Sequence, residues 1–424
     1  MSDRASGLRL RLARGLGPDA EALAVIVDEA ARAHSDAFLV GGPVRDLLLR
    51  RPVGDVDVLL TRGLEAVARR SAQRLGANVV VRPRFLTATI ERPGLRIDLS
   101  RARRERYARA GALPEVEPAS LEEDFARRDF SVHAMALPLD ARSGSGLLDP
   151  LGGRADLERR RLRCLHERSF LDDPTRLLRA ARYAARLGFR YEAGTARLLR
   201  SAVESAALDR VSGDRVRHEI ERLIDEPDPA HAAAATRRGG LFAAIARGWE
   251  VADGARAGLR RLVRAGAEPP WPEAASARQA CGLRLLLFDV APRHRLRVLE
   301  RLAVRGRPAE QVRGDLRRVV ELRRSLGRRL SGGRLDARLS GASDEVLLLA
   351  WCTGRAPVPR NVARYAGHLR HVADPLTGED ARARGLRGPA VGELLRAARE
   401  RSLDGAGVDE NWLRRWLARH REMR

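Results

Sequence analysis

The chain has 424 residues, a length that predicts about two to four domains rather than a single core. Its hydrophobic fraction of 44% is typical of a globular protein, and no apolar run is long enough to predict a membrane span. The formal net charge is +24 and all 80 basic residues are arginine, so the charge favours a polyanionic partner such as nucleic acid.

The cysteines and the N-terminus exclude further classes. Cys164, Cys281 and Cys352 are far apart and form no CxxC pair, which argues against a disulfide framework or a zinc knuckle and favours a reducing, cytoplasmic setting. The first stretch, MSDRASGLRLRLARGL, lacks the hydrophobic region of a secretory signal and predicts a basic arm before the first helix.

The predicted elements fall into two classes along the chain. Apolar residues at helical spacing predict a helix over 21–35, and strand-like stretches follow as FLVGG, DVDVLLT, ANVVVRP, LTATIERP and LRIDLS. A helix-like segment, LEAVARRSAQRL, lies between the second and third strands. Beyond Pro150, leucine and alanine recur at three- and four-residue spacing, which indicates amphipathic helices. Proline-containing stretches predict loops or linkers at 225–231, 267–276 and 354–361.

The segment FLVGGPVRD places Gly41 and Gly42 between a strand and a helix. Glycine at this position lets backbone N–H groups approach a phosphate, and a helix N-terminus favours negative charge. Arg45, about one turn into the helix, could bind the same phosphate. Taken alone, the two glycines are better explained by a tight turn that needs glycine torsion angles.

Two aspartates interrupt the apolar strand that follows. Alternate residues of a strand point to one face, so Asp55 and Asp57 are expected to share a face. Carboxylates beside a phosphate-binding turn can hold Mg²⁺ ions that bridge the phosphates of a nucleotide. A DxD pair alone is more often a solvated strand face, but the glycines and Arg45 nearby favour the metal site. Asp98, at the end of LRIDLS, is the candidate third acid, with an ordinary strand-edge acid as its alternative.

Residues 25–240 resemble the class II tRNA nucleotidyltransferases, which are the CCA-adding enzymes and their bacterial poly(A) polymerase relatives. The segment FLVGGPVRDLLLRRPVGDVDVLLT is similar to the family's GGxVRD…DxD element. The segment EEDFARRDFSVHAMAL is similar to the RRDFTxNA element. That similarity implies that Arg127, Arg128 and Asp129 lie near the ribose and triphosphate of the nucleotide.

Two more elements support the same resemblance. LLDPLGGRADL is similar to the family's hinge between head and neck, with Asp149, Gly152, Gly153 and Asp156 as its residues. SGDRVRHEIERL contains Arg215 and Glu219 at a spacing of four, which predicts an intrahelical pair that braces the neck.

The segment SFLDDPTRLLRAARYAARLGF resembles the element with which the family reads the incoming base from the protein itself. The resemblance assigns base selection to Asp173 and Arg176. A carboxylate that accepts from the exocyclic amino group and an arginine that donates to the ring nitrogen would suit both cytosine and adenine, whereas uracil and guanine would leave both groups unpaired. Taken alone, Asp173 and Pro174 also suit the N-cap and first position of a helix. Arg179 joins the candidate nucleotide-binding residues, although it also suits a solvated or RNA-facing stripe.

Two positions depart from the family pattern. Asp172 stands where many members have glutamate, which is longer and would place its carboxylate differently. His133 stands where the family usually has asparagine; histidine also donates a hydrogen bond, but it titrates near neutral pH.

The resemblance implies an α+β fold with a nucleotidyltransferase head of the DNA polymerase beta type, followed by an all-helical neck, body and tail. The expected bounds are 1–150 for the head, 151–226 for the neck, 227–353 for the body and 354–424 for the tail.

The implied reaction is attack of an RNA 3′-hydroxyl on the α-phosphate of ATP or CTP, with release of pyrophosphate. Asp55 and Asp57 would hold two Mg²⁺ ions, and Asp98 would assist as a ligand or a base. The expected partner is the acceptor arm and 3′ end of tRNA, bound by the arginine-rich helices through backbone and shape.

Several activities remain open on this sequence: addition of CCA, of A alone, of CC alone, or of poly(A). CC-only members tend to shorten the segment YARAGALPEVEPASLEEDF, which is at about full length here and so disfavours CC-only addition. The basic and aromatic signature of many poly(A) polymerases has no obvious counterpart downstream of the DxD. A non-catalytic RNA-binding protein is the alternative from another class, and the intact acids at 55, 57 and 98 argue against it.

Overall fold

The computed structural model describes the backbone of residues 18–140, 142–144, 146–266, 270–271 and 276–420. The predicted basic arm over 1–16 and most of the predicted loop over 267–276 lie outside these residues. The chain divides into two compact units, Met1–Ser212 and Gly213–Arg424. Among the helices described, none combines the length and the apolar character of a membrane span.

The first unit is built on one mixed sheet. Its six strands are β1 (Ala37–Val40), β2 (Val56–Leu60), β3 (Asn78–Arg82), β4 (Thr87–Arg92), β5 (Leu95–Arg101) and β8 (Ala136–Pro138), in the order β3-β4-β5-β2-β1-β8. The β2–β5 pair is parallel and the other neighbours are antiparallel. All five predicted strands are therefore confirmed, whereas β8 is too short to give a sequence signal.

Two small pairs lie outside this sheet. The antiparallel hairpin joins β6 (Arg103–Arg106) to β7 (Glu115–Pro118), and a parallel pair joins β9 (Arg161–Leu162) to β10 (Arg190–Tyr191). The helices of the unit are α1 (Pro18–Arg32), α2 (Gly42–Leu48), α3 (Leu64–Leu75), α4 (Leu121–Ala126), α5 (Gly153–Glu158), α6 (Ser169–Asp172), α7 (Thr175–Leu187) and α8 (Ala193–Glu204). Short 3₁₀ turns occur at Pro83–Phe85, Ser131–His133 and Ala207–Arg210.

The core of the first unit packs the first two strands against α4. All four residues of β1 are buried, and Phe38, Val40 and Leu59 form one apolar cluster with Phe125 of α4. Strand side chains alternate between the two faces of a sheet, so a shift of β1 or β2 by one residue would turn these side chains away from α4. The cluster therefore fixes the register of both strands. The loop that follows β1 and the start of β2 are therefore held in one place.

The second unit contains only helices among its described elements. They are α9 (Gly213–Ile224), α10 (Pro229–Arg238), α11 (Leu241–Ile245), α12 (Asp253–Ala265), α13 (Arg278–Phe288), α14 (Pro292–Arg301), α15 (Arg307–Ser325), α16 (Gly332–Leu339), α17 (Asp344–Thr353), α18 (Val358–Gly367), α19 (Gly378–Ala383), α20 (Pro389–Leu403) and α21 (Glu410–Arg419). The predicted α+β architecture, a sheet followed by helices, is confirmed. The three cysteines are buried free thiols.

Several predicted boundaries need correction. The first helix covers Pro18–Arg32 rather than 21–35. The predicted linkers 225–231 and 354–361 end early, because α10 begins at Pro229 and α18 at Val358. Proline is tolerated in the first turn of a helix, where its missing N–H has no intrahelical partner, so it marked helix starts rather than loops.

The expected domain bounds stay predictions, although the structure groups the first part of the neck with the head by dividing the chain after Ser212. Glu219, within α9, is buried and pairs with Arg222 at 2.7 Å. The Arg215–Glu219 pair stays a prediction.

Candidate active site

The glycine turn between β1 and α2 is the centre of the site. Gly41 has φ +73°, and a Cβ there would lie 3.3 Å from Arg128 Nη1 and 4.0 Å from Asp57 Oδ2. The backbone torsion favours glycine here, and a Cβ would also press on the Arg128 guanidinium. Helix α2 begins at Gly42 with no side chain capping its first turn, an arrangement that suits a phosphate.

The predicted acids meet at the edge of β2. Asp57 is the register partner of Asp98 in the parallel strand β5, while Asp55 lies exposed just before β2. Burial raises the pKa of Asp57 to about 6; the carboxylates of Asp98 and Asp55 add to this, and Arg128 and Arg45 oppose it. Asp57 therefore lies where negative charge exceeds positive charge, and a bound cation would relieve that imbalance.

The donor set fits Mg²⁺ as a carboxylate pair rather than as a complete cage. Over the described part of the chain, no three His, Cys, Asp or Glu side chains converge to form a metal site. Asp98 Oδ1 accepts a hydrogen bond from Thr89 at 2.6 Å, and its Oδ2 lies 3.5 Å from Arg96 Nε. Mg²⁺ usually binds one or two carboxylates together with substrate phosphates, which Asp55 and Asp57 can match. Asp98 lies in the middle of β5, not at its end as expected.

Asp124 organises the two arginines of the RRDF element. Its Oδ1 accepts from Arg127 Nη2 at 2.7 Å and its Oδ2 from Arg128 Nη2 at 2.8 Å, and the residue is fully buried. Burial opposes ionisation, but the guanidinium groups of Arg128 and Arg127 outweigh it and hold the pKa of Asp124 below its usual value. Arg128 also donates to the backbone oxygen of His133, so it is fixed over Gly41. Sequence reasoning missed Asp124, whose burial depends on tertiary packing.

The β6–β7 hairpin adds a second set of groups that the sequence did not single out. Glu105 Oε1 accepts from Arg127 Nη1 at 2.8 Å, and Glu105 Oε2 accepts from the hydroxyl of Tyr107 at 2.8 Å. Further along the loop, the N–H of Gly111 donates to the carbonyl of Asp172 at 3.2 Å. The hairpin and the loop that follows β6 thus contact both the RRDF element and the end of α6, just before α7.

A buried chain of side chains runs from α2 to α7. Arg45 donates to both carboxylate oxygens of Asp46, and its Nη1 lies 2.7 Å from His133 Nε2. The other ring nitrogen of His133, Nδ1, lies 2.8 Å from Asp129 Oδ1. Asp129 in turn accepts from Arg179 Nη2 at 2.6 Å. Burial lowers the pKa of His133, and the neighbouring Asp129 carboxylate opposes this shift without cancelling it. The pKa of Asp129 lies well below its usual range, because Arg179 and His133 outweigh the opposite effect of burial. Arg45 and Asp129 are occupied by protein groups here, so their contacts with a nucleotide stay predictions.

The predicted base-selecting residues both have structural partners. Asp173 Oδ1 accepts from the N–H and the hydroxyl of Thr175, the first residue of α7, at 3.1 and 2.7 Å, although the N-cap position is held by Pro174 and not, as predicted, by Asp173. Arg176 is 5% exposed and donates to Ser169 Oγ at 2.8 Å and to the carbonyl of Arg127 at 2.6 Å. The Asp173 contacts satisfy the first N–H of α7, and the Arg176 contact with Arg127 ties α7 to the RRDF element.

The predicted hinge is a capped and close-packed corner. Asp149 accepts from the N–H groups of Gly153 and Arg154, at 2.6 and 3.0 Å. Gly152 has φ +71°, and a Cβ at Gly153 would lie 2.2 Å from the carbonyl oxygen of Ser131. Both glycines are therefore required by the local geometry, and motion about this corner stays a prediction.

Tyr183 is the remaining residue that the sequence analysis missed. Its ring lies within 6 Å of four guanidinium carbons, those of Arg45, Arg179, Arg182 and Arg186 at 5.8, 5.4, 4.8 and 5.7 Å. For Arg179 and Arg186, which are four and three residues from Tyr183 along α7, this spacing was the available signal, because such residues share a helix face.

The chain is similar to known proteins over the part that contains these residues. A model of the poly A polymerase head domain matches residues 37–163, which include the glycine turn, the three acids and the RRDF element. The A-adding tRNA nucleotidyltransferase of Halalkalibacterium halodurans is 42% identical over 47% of this chain and 48% of that protein. The CC-adding tRNA nucleotidyltransferase of Deinococcus radiodurans is 42% identical over 49% of this chain and 55% of that protein. The multifunctional CCA protein of Acidovorax ebreus is 31% identical over 85% of this chain and 94% of that protein.

This chain belongs to the tRNA nucleotidyltransferase family. Among solved structures, a CCA-adding enzyme in an apo form matches with a TM-score of 0.78 and 27% identity, over 93% of this chain and 94% of that chain. The Thermotoga maritima CCA-adding enzyme complexed with tRNA matches with a TM-score of 0.74 and 25% identity, over 98% of both chains. The predicted family and the nucleotidyltransferase head followed by helical regions are confirmed. Against the two relatives at 42% identity, however, the chain spans only about half their length.

Proposed function

We propose that this protein adds the 3′-terminal CCA, or part of it, to tRNA from CTP and ATP, with release of pyrophosphate. The observation that carries the proposal is the placement of Asp57 beside Asp98 in parallel strands, with Arg128 closing over the Gly41 turn. Clustered carboxylates next to a phosphate-binding arginine suit transfer of a nucleotidyl group. A cytoplasmic location belongs to the same proposal and is supported by the three free cysteines.

The proposed reaction forms one bond and breaks one bond at phosphorus. The 3′ oxygen of tRNA attacks the α-phosphorus, the bond to the pyrophosphate oxygen breaks, and the hydroxyl proton passes to a carboxylate such as that of Asp98. Asp55 and Asp57 would hold two Mg²⁺ ions, which make the hydroxyl more acidic and neutralise the triphosphate. Arg128 binds a triphosphate oxygen, since its guanidinium is already fixed over the turn.

Base selection by Asp173 and Arg176 is part of the proposal. Both Nη atoms of Arg176 already donate to protein oxygens, at Ser169 and Arg127. A guanidinium has five N–H donors, so Arg176 can keep these contacts, which orient it, and still donate to a ring nitrogen of the base. The bonds that Asp173 accepts from Thr175 keep its carboxylate in place.

An enzyme that adds only A is the second candidate. The A-adding relative is 42% identical over 203 residues and the CC-adding relative is 42% identical over 213, so the full-length segment after Tyr107, which disfavours CC-only addition, is what favours A. The tRNA partner is supported by the arginine-rich composition and by the similarity to an enzyme solved with tRNA.

One assay separates these activities. Purified protein is given tRNAs that end at the discriminator base, at C or at CC, with CTP and ATP singly and together. Full CCA addition supports the main proposal, extension of only the CC-ended tRNA supports the A-adding candidate, and long A tails indicate a poly(A) polymerase. The Asp55→Ala/Asp57→Ala double variant is the control. Persistent addition by that variant, or no addition by the wild type, would overturn the proposed function.

A further inference from the structure

His133 lies at the centre of the buried chain between α2 and α7. Its Nε2 lies 2.7 Å from Arg45 Nη1, and its Nδ1 lies 2.8 Å from Asp129 Oδ1. Asp129 in turn accepts two hydrogen bonds from Arg179, at 2.9 and 2.6 Å. His133, Arg45 and Asp129 are 6%, 3% and 7% exposed, so water does not substitute for these contacts.

The neighbours of the imidazole fix its tautomer. A guanidinium has donors only, so Nε2 must accept from Arg45; a carboxylate accepts, so Nδ1 carries the proton and donates to Asp129. The ring also packs edge-on against Tyr183 of α7, with centroids 4.4 Å apart. His133 therefore has one contact to the helix after the glycine turn and two routes to α7, through Asp129 and through Tyr183.

We propose that His133 is a positioning residue for nucleotide addition, which fixes the triphosphate-binding turn relative to the base-reading helix α7 by bonding Arg45 and Asp129 at once. This inference rests on the proposed function. A correct nucleotide contacts both ends of the site and gains from their fixed separation, whereas a wrong base gains only at the triphosphate end. Loss of the link therefore lowers the preference for the correct base.

The substitution series separates the two hydrogen bonds. His133→Ala removes both bonds. His133→Gln places an amide oxygen near the position of Nε2 and restores an acceptor for Arg45. Ser131→Ala is the matched control: it removes a buried hydrogen bond to Asp156 from the same 3₁₀ turn but leaves the chain intact.

The measurement is the ratio of kcat/KM for the accepted nucleotide, ATP or CTP, to that for UTP. A ratio is unaffected by the fraction of active protein. We expect His133→Ala to lower it about tenfold or more, the loss that corresponds to one hydrogen bond to a charged group. His133→Gln should recover part of that loss, and the KM for tRNA should stay unchanged. Ser131→Ala should lower the Tm and keep the ratio.

Two results would overturn the inference: a ratio in His133→Ala within about threefold of the wild type, or no recovery in His133→Gln. Calorimetric binding of ATP, CTP and UTP to the tRNA-free protein gives the same comparison without turnover. If the wild type adds no nucleotide, the proposed function fails. The binding ratios then decide the inference by the same criteria.

Discussion

Asp57 and Asp98 are register partners in the parallel strands β2 and β5, so the sheet holds two carboxylates side by side. Burial and the neighbouring acids raise the pKa of Asp57 to about 6, against an ordinary value of 3.8. The folded protein therefore keeps an unfavourable negative charge at neutral pH. A cation at this position would relieve that charge, and below a pH of about 6 it would compete with the proton for the Asp57 carboxylate.

Asp57→Asn is expected to lower kcat for nucleotide addition by about 10²–10³-fold or more, because the metal-binding charge is lost. The same change should raise the free energy of unfolding at pH 8, by up to about 3 kcal/mol. The folded pKa lies above the unfolded pKa, so the protonated group is favoured in the folded state. The increase in unfolding free energy caused by Asp57→Asn should therefore shrink as the pH falls through 6 and vanish near the ordinary pKa of 3.8.

Denaturant unfolding at pH 8 and pH 4 measures this prediction. Glu91→Gln is the control, because Glu91 is a half-exposed strand acid that contacts only Arg96, at 3.9 Å, among its ion pairs in the described residues. It should leave both activity and stability nearly unchanged. A less stable Asp57→Asn protein at pH 8 would contradict the electrostatic account of this site.

The pH profile of nucleotide addition should show an acid limb set by Asp57. Its carboxylate must lose a proton to bind Mg²⁺, so kcat/KM should rise as the pH increases through about 6 at low Mg²⁺. Higher Mg²⁺ should move the limb to lower pH, since metal and proton compete for the same oxygens. Profiles recorded at two Mg²⁺ concentrations test this. A limb that does not move with Mg²⁺ would assign it to another group.

The parts of this site that local sequence pattern determines were predictable, whereas those that depend on contacts between residues far apart in the chain were not. The glycine turn and the strand with Asp57 were predictable because local pattern determines them, and Asp98 was found because its strand has a strong apolar pattern. Asp124 was missed because its burial depends on β6 and on two arginines that fold over it. The hydrogen bond between Arg45 and His133 was equally unpredictable, because the two residues are far apart in the sequence.

Asp124→Asn is expected to destabilise the protein strongly. It leaves the guanidinium groups of Arg127 and Arg128 without their shared counter-charge, and breaking a buried pair in this way costs about 3–5 kcal/mol. Because the pKa of Asp124 is lowered in the folded state, its contribution is present at neutral pH and is lost as the pH falls through that lowered pKa. The Tm at pH 7 measures the loss of stability, the Tm at lower pH measures its pH dependence, and the KM for the nucleotide reports whether Arg128 stays in place.

Glu122→Gln is the control for Asp124, because Glu122 lies exposed on the same helix. Its Tm and KM should stay close to those of the wild type. If Asp124→Asn were as stable as this control, the two arginines would have to find other acceptors, and the organising role of Asp124 would be wrong.

Asp173→Asn separates the two roles that the sequence allowed for this residue. Asparagine caps helices about as well as aspartate, so the N–H of Thr175 keeps its acceptor and the Tm should change little. A neutral amide accepts more weakly from an exocyclic amino group and can donate to a carbonyl, so incorporation of CTP or ATP should fall while that of UTP or GTP rises. We expect the selectivity ratio to drop about tenfold or more. Asp173→Ala, which also loses the cap, should lower the Tm as well. Unchanged selectivity in Asp173→Asn would leave Asp173 as a helix cap alone and would place base reading elsewhere on α7.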